Sequence, residues 1–223
     1  MRITATLGAI ALSMAAASAA NAAITLDASD INDTQTINFS GMAGTPVVPV
    51  PELMASLDLT LTSIVGNDWF FNYGVSNDSS ITARLAGFGF NTDPQLSGAT
   101  VTGTYNIAGS GNVPIFGAVD VCFKDGGGTN NCAGGGSGGI FDGLTGGGTL
   151  KLSFSAPTQS LTLDNFVVRF QSIDTRYVES GSGIGIETAV PEPGTWMMML
   201  LGFGIVGGMM RRRKDAEPRV RYA

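Results

Sequence analysis

From residue 53 to 62 the chain alternates without a break. Leu53, Ala55, Leu57, Leu59 and Leu61 fall on one side, and Met54, Ser56, Asp58, Thr60 and Thr62 on the other. A period of two with one polar side predicts a half-buried β-strand over 53–64. Residues 69–76 repeat the pattern, with Trp69, Phe71, Tyr73 and Val75 opposite Phe70, Asn72, Gly74 and Ser76. Further strands are predicted at 24–29, 34–40, 80–90, 99–107, 115–123, 149–155 and 160–173. The last one changes phase, because Leu161 and Leu163 are odd while Phe166, Val168 and Phe170 are even. One extra residue moves side chains to the other face, so a bulge at Asp164–Asn165 is expected. Gly66-Asn67-Asp68, Ser76-Asn77-Asp78, Thr92-Asp93-Pro94 and Ala156-Pro157 supply turn chemistry between these runs. No stretch of the body carries a helical period. The expected class is all-β, a single antiparallel β-sandwich or jelly-roll-like domain over residues 23–186, with no internal repeat.

The two ends follow different patterns. Arg2 precedes a small apolar run from Ala5 to Ala20, and Ala20 and Ala22 meet the small-residue requirement of a cleavage site. Residues 1–22 therefore read as a signal peptide cut between Ala22 and Ala23, or alternatively after Ala19. This implies the Sec translocon and signal peptidase as partners. At the other end, residues 187–223 form a second targeting segment. Pro191-Glu192-Pro193 and Trp196 lead into an apolar run, and Arg211, Arg212, Arg213 and Lys214 end it. The uncharged stretch 194–210 is 17 residues long, the lower limit of the roughly 17–25 that span a bilayer as a helix. Trp196 suits one membrane interface, and the basic cluster anchors the cytoplasmic side.

Charge is unevenly spread. Residues 23–190 hold 15 acids and 5 bases, a net −10, within a chain whose net charge is −6. That balance argues against nucleic acid as a partner. His is absent, which removes Ser–His–Asp triads, Cys–His dyads and His-based metal and haem sites.

The order Pro191-Glu192-Pro193, Trp196, glycine-rich apolar run, Arg cluster resembles the PEP-CTERM sorting signal of Gram-negative bacteria. Met197 stands where the closest subtype carries Ala. The resemblance implies an exosortase as partner and transient residence in the inner membrane through the C-terminal helix. Cutting near the tripeptide then delivers the body to the envelope, surface or extracellular matrix, often among exopolysaccharide and biofilm producers. The two prolines fix φ and keep this strip extended, as a protease-like site requires. Segments of the body, among them Ile24 to Ala28, Gly89 to Asp93, Gly111 to Pro114 and Val121 to Asp125, are similar to the cistern group of PEP-CTERM proteins. That similarity implies no activity.

Cys122 and Cys132 are the only cysteines, and in an exported chain they are expected to form one disulfide. Residues 126–148 contain 12 glycines, which read as a flexible surface loop or as backbone that approaches a ligand closely. Asp30 with Asp33, and Asn91 with Asp93, are solvated turn residues or oxygen ligands for a single calcium ion, although no Asp-x-Asp-x-Asp-Gly pattern is present. No other cofactor is expected. Trp69, Phe70, Tyr73 and Phe88 fit core packing, with sugar stacking as the alternative. The reading that joins these features is a non-enzymatic exported surface or matrix protein associated with exopolysaccharide. A carbohydrate-binding module of the envelope is the alternative, and a polysaccharide hydrolase using two carboxylates comes third.

Overall fold

The structure is a computed structural model and describes residues 23–126, 131–133, 138–174, 176, 182–187, 199–204 and 207. The signal peptide 1–22, with Ala22 of the cleavage pair, lies outside the described residues. So do Pro191, Glu192, Pro193, Trp196, Arg211, Arg212, Arg213 and Lys214. Ala23 is exposed at the start of the described chain. Of the expected membrane helix 194–210, residues 199–204 and 207 are described, and they are helical and exposed. Among the described residues no helix is long and apolar enough to cross a membrane.

Among the described residues twelve strands follow in chain order. They are β1 (Ile24–Leu26), β2 (Thr34–Ala43), β3 (Val48–Val65), β4 (Asp68–Asn77), β5 (Arg84–Asp93), β6 (Gly98–Gly103), β7 (Ile107–Val113), β8 (Gly117–Lys124), β9 (Ile140–Phe141), β10 (Thr145–Ser153), β11 (Leu161–Gln171) and β12 (Ser182–Glu187). All belong to one sheet in the order β6-β10-β4-β3-β2-β12-β11-β5-β8-β7, with β1 on β11 and β9 on β5. The two ends of this path, β6 and β7, are consecutive in the chain and lie close together without pairing as strands. The result is a nearly closed, barrel-like sheet.

The all-β antiparallel expectation holds, but the expected two-sheet sandwich is replaced by one sheet. The reason is β12. Without it, β6-β10-β4-β3-β2 and β11-β5-β8-β7 would be two separate arcs. Val167 to Gln171 pair with β12 on one side, and Phe39 to Ala43 pair with it on the other. Its sequence, Ser-Gly-Ile-Gly-Ile-Glu, carries only two large apolar residues, so no strand signal stands out. A Cβ on Gly185 would lie 2.5 Å from Val168 Cγ2 and 3.0 Å from Phe39 Cβ. Its glycines therefore leave the inner space to Phe39 and Phe170, both buried.

The alternating runs behave as their periods require. Leu53, Ala55, Leu57, Leu59 and Leu61 are buried, and Met54 is exposed. Trp69, Phe71, Tyr73 and Val75 are buried on the facing strand. The expected bulge is present: Asp164 pairs with Asn91 and Val167 with Gly89, so two residues of β11 oppose one of β5. Asn165 takes a φ of 50° there. Leu161, Leu163, Phe166, Val168 and Phe170 consequently all reach the same core.

Several strand bounds shift by a few residues from expectation, and three departures have a clear physical cause. β3 begins at Val48 rather than 53 and includes Pro49 and Pro51. This stretch pairs only with β2, and an edge position tolerates proline. After β1 the chain turns into a short 3-10 segment, Ala28–Asp30, instead of continuing as strand to 29. Asp27 accepts from Ser29 N at 2.7 Å, and Asp30 accepts from Asp27 N at 2.7 Å. The strand expected over 99–107 ends at Gly103 as β6, because Thr104 to Asn106 turn the chain, and a separate strand, β7, starts at Ile107.

The core is aromatic. Phe88 lies 5.0 Å from Phe123, 5.4 Å from Tyr73 and 5.6 Å from Tyr105 between ring centroids. Tyr105 is fully buried in the β6–β7 connection, where its hydroxyl donates to the Leu85 carbonyl at 3.1 Å. Its N–H donates to the Tyr73 hydroxyl at 3.0 Å, so the polar tips of both rings are satisfied. Asn77, also fully buried, donates to the carbonyls of Ala83 and Ile140, both at 3.0 Å. It thereby ties β9 and the 78–83 turn to the end of β4.

Gly185→Val is expected to destabilise the fold by about 1–3 kcal/mol, because overpacking forces backbone shifts in a filled interior. Denaturant unfolding monitored by tryptophan fluorescence measures it. An unchanged midpoint would show that β12 does not carry the closure.

Candidate functional site

Two regions of the outer face stand out from the plain polar exterior. The first lies over β5 and β8. Cys122 and Cys132 form the expected disulfide, with 5.8 Å between Cα atoms. The bridge holds residues 131–133 against the sheet. A second apolar cluster forms there, made of Val113, Val119, Cys122, Cys132, Val167 and Ile184. β5 is thus buried on both faces over most of its length.

Cations converge beneath this cover. Arg169, Gly87 and Lys124 lie in one cross-strand row of β11, β5 and β8. Arg169 donates to the Ala133 carbonyl at 2.9 Å, and Arg84 donates to the carbonyls of Gly138 and, at 2.9 Å, of the Gln171 side chain. Both arginines therefore fasten loop backbone. Lys124 is only 5% exposed, and its Nζ has no hydrogen-bond partner among the described residues. Burial, and then the Arg169 guanidinium, hold its amine below the ordinary lysine value. Burial and then Arg84 lower Arg169 in the same direction.

The glycine-rich stretch divides. Gly146 to Gly148 belong to β10, not to a loop. A Cβ on Gly148 would fall 1.9 Å from the Thr102 carbonyl oxygen, so β10 needs glycine where β6 crosses close to it. Of the four residues weighed as turn residues or calcium ligands, two make side-chain hydrogen bonds of their own. Asp30 caps the turn after β1, and the Asn91 side chain accepts from Asp120 N at 3.1 Å. Among the described residues no group of three Cys, Asp or Glu side chains could hold a metal ion.

The second region lies on the outer face of β3, β4, β10 and β6. Thr60, Asn72, Thr149 and Thr102 align in one row across these strands. Phe70, Lys151 and Thr100 align in the next. A groove of about 330 Å³ runs along these rows. At its β3 side the register slips between Leu61 and Ser63, and the Thr62 hydroxyl donates to the Phe70 carbonyl at 2.9 Å. Of the aromatics weighed as sugar platforms, Trp69, Tyr73 and Phe88 are in the core. Phe70 alone of the four lies on the outer face, half-buried. The period-two pattern of β4 had already put it among the polar positions, but the row it forms with β10 and β6 depends on pairings far apart in sequence.

Two outcomes are expected at the disulfide region. Cys132→Ser should cost about 2–3 kcal/mol, the loop-closure contribution of a bridge of this span. Lys124→Met should raise the melting temperature at neutral pH, because an unpartnered buried donor costs about 1–3 kcal/mol. The lysine's folded value is depressed, so the penalty applies in full while the amine is charged in both states. The advantage of Met therefore shrinks as pH climbs toward the ordinary value of 10.5. Thermal unfolding of both variants between neutral and mildly alkaline pH measures this. A lower or unchanged melting point for Lys124→Met would contradict it.

No match to a curated protein is found. The family match that is found lies in the C-terminal segment and does not reach the body, so membership of the cistern group is not shown. Residues 189–214 match the PEP-CTERM protein-sorting motif, which marks this chain as carrying an exosortase-directed export and sorting signal.

Proposed function

We propose that the protein is a non-enzymatic component of the bacterial cell surface or extracellular matrix. In this reading it is exported by the Sec route, held briefly in the inner membrane, and released to the envelope by an exosortase. The observation that carries it is the sorting motif at 189–214, which contains Pro191-Glu192-Pro193, Trp196 and the cluster Arg211 to Lys214. The disulfide supports an oxidising destination, since such bridges persist outside the cytosol. The acidic body supports a soluble, self-repelling particle after release, because net charge far from zero opposes association. A chain without His lacks the commonest general base, which favours a structural or binding role over catalysis. No cofactor is required for such a role, and association with exopolysaccharide or biofilm is the expected setting.

Processing is tested by Glu192→Ala in cells that express the exosortase system. The uncut precursor should accumulate in the membrane fraction, and mass spectrometry of the wild-type product should place its N-terminus at Ala23 and its C-terminus near residue 191. Normal maturation of the variant would refute the sorting reading.

A further inference from the structure

We propose that the groove across β3, β4, β10 and β6 binds an uncharged polysaccharide chain. The inference rests on the envelope reading for its setting and on the groove's own chemistry for its ligand. At about 330 Å³ the groove is within the size range of small-ligand sites. It crosses four strands, a reach of about 14 Å given the usual inter-strand spacing, which suits several linked sugar rings rather than a compact metabolite.

A pyranose ring has an apolar C–H face and a rim of hydroxyls. The groove offers both complements. Phe70 presents an aromatic side chain on the outer face, where nothing in the core claims it. The exposed Asn72 amide provides two donors and an acceptor at the adjacent row position of the same strand. The hydroxyls of Thr102 and Thr149 pair at 2.8 Å, and the pair keeps one hydroxyl proton and lone pairs that the mutual bond does not use. Thr100 is exposed beside Lys151, in line with Phe70.

Charge selects against acidic polymers. Among the described residues that line the groove the one cation is Lys151, which sits 3.4 Å from Asp68, so its charge is already balanced. The surrounding body carries a net −10 over residues 23–190. A polyanion would meet repulsion with no compensating cluster in the groove. A neutral glycan meets none.

The test uses the protein expressed with export and recovered from the envelope fraction. Native gels are cast with hydroxyethylcellulose, with glucomannan or with alginate. The neutral polymers are expected to retard the protein and alginate is not. Phe70→Ala and Thr100→Glu should each weaken retardation about tenfold, the effect of losing one aromatic contact or of placing in the path a longer, hydrated side chain that the glycan must desolvate. Thr100 is exposed, so Thr100→Glu leaves the core intact, and an unchanged melting temperature verifies that. Phe141→Ala, an exposed aromatic outside the groove, should leave retardation as in wild type. The absence of retardation by both neutral polymers, equal retardation of the groove variants, or stronger retardation by alginate would each overturn the proposal. Binding lost in these variants while Glu192→Ala still matures upholds the groove and refutes the sorting reading; the reverse pattern separates them the other way.

Discussion

A sheet can wrap around a core of phenylalanines only if the strand that joins its two arcs leaves them room. Here that strand is β12. Gly183 and Gly185 face an interior already occupied by Phe39, Phe170 and Ile173. Ile184 and Ile186 face outward into the second apolar cluster. One short segment thus separates two hydrophobic layers and links two halves of the sheet. The near-closure of the sheet follows from that link, and the disulfide-held segment adds the cover that buries β5 on its second face.

The outer surface is consequently not uniform. Over β5 and β8 it is covered by the disulfide-held segment and by two arginines that donate to loop carbonyls. Over β3, β4, β10 and β6 it is bare, regular and polar, with Phe70 as its one half-buried ring. Cross-strand threonine pairs, Thr34 with Thr60 at 2.7 Å and Thr102 with Thr149 at 2.8 Å, order the hydroxyls in register with the strands. Such pairs are a usual stabilising unit of sheets. Here they also form an ordered polar surface beside an aromatic ring, with the sheet as its rigid support.

The sorting signal and the folded body are physically separate devices. The signal works through hydropathy, two prolines and a basic cluster, none of which needs a tertiary fold to be read. The body works through burial and carries most of the acidic charge. That division lets a short C-terminal motif identify where the chain is directed while leaving the body's surface to decide what it meets there.

The alternation of β3 and β4 was legible because each strand buries one face, and a period of two has a single solution. The bulge at Asp164–Asn165 was legible for the same reason: a phase change inside one strand requires an extra residue. The disulfide followed from two lone cysteines in an exported chain. What alternation could not reveal was the union of the arcs. β12 and β7 are rich in glycine, β9 is two residues long, and short or glycine-rich segments carry too few side chains to show a period. The groove was equally hidden. Each strand places Phe70, Asn72, Thr100 or Thr149 on its polar face. That these faces share rows depends on β4 pairing β10 and on β10 pairing β6, contacts between segments dozens of residues apart. Periodicity is local and decides which way a side chain points; register is long-range, and only the closed sheet decides which side chains become neighbours.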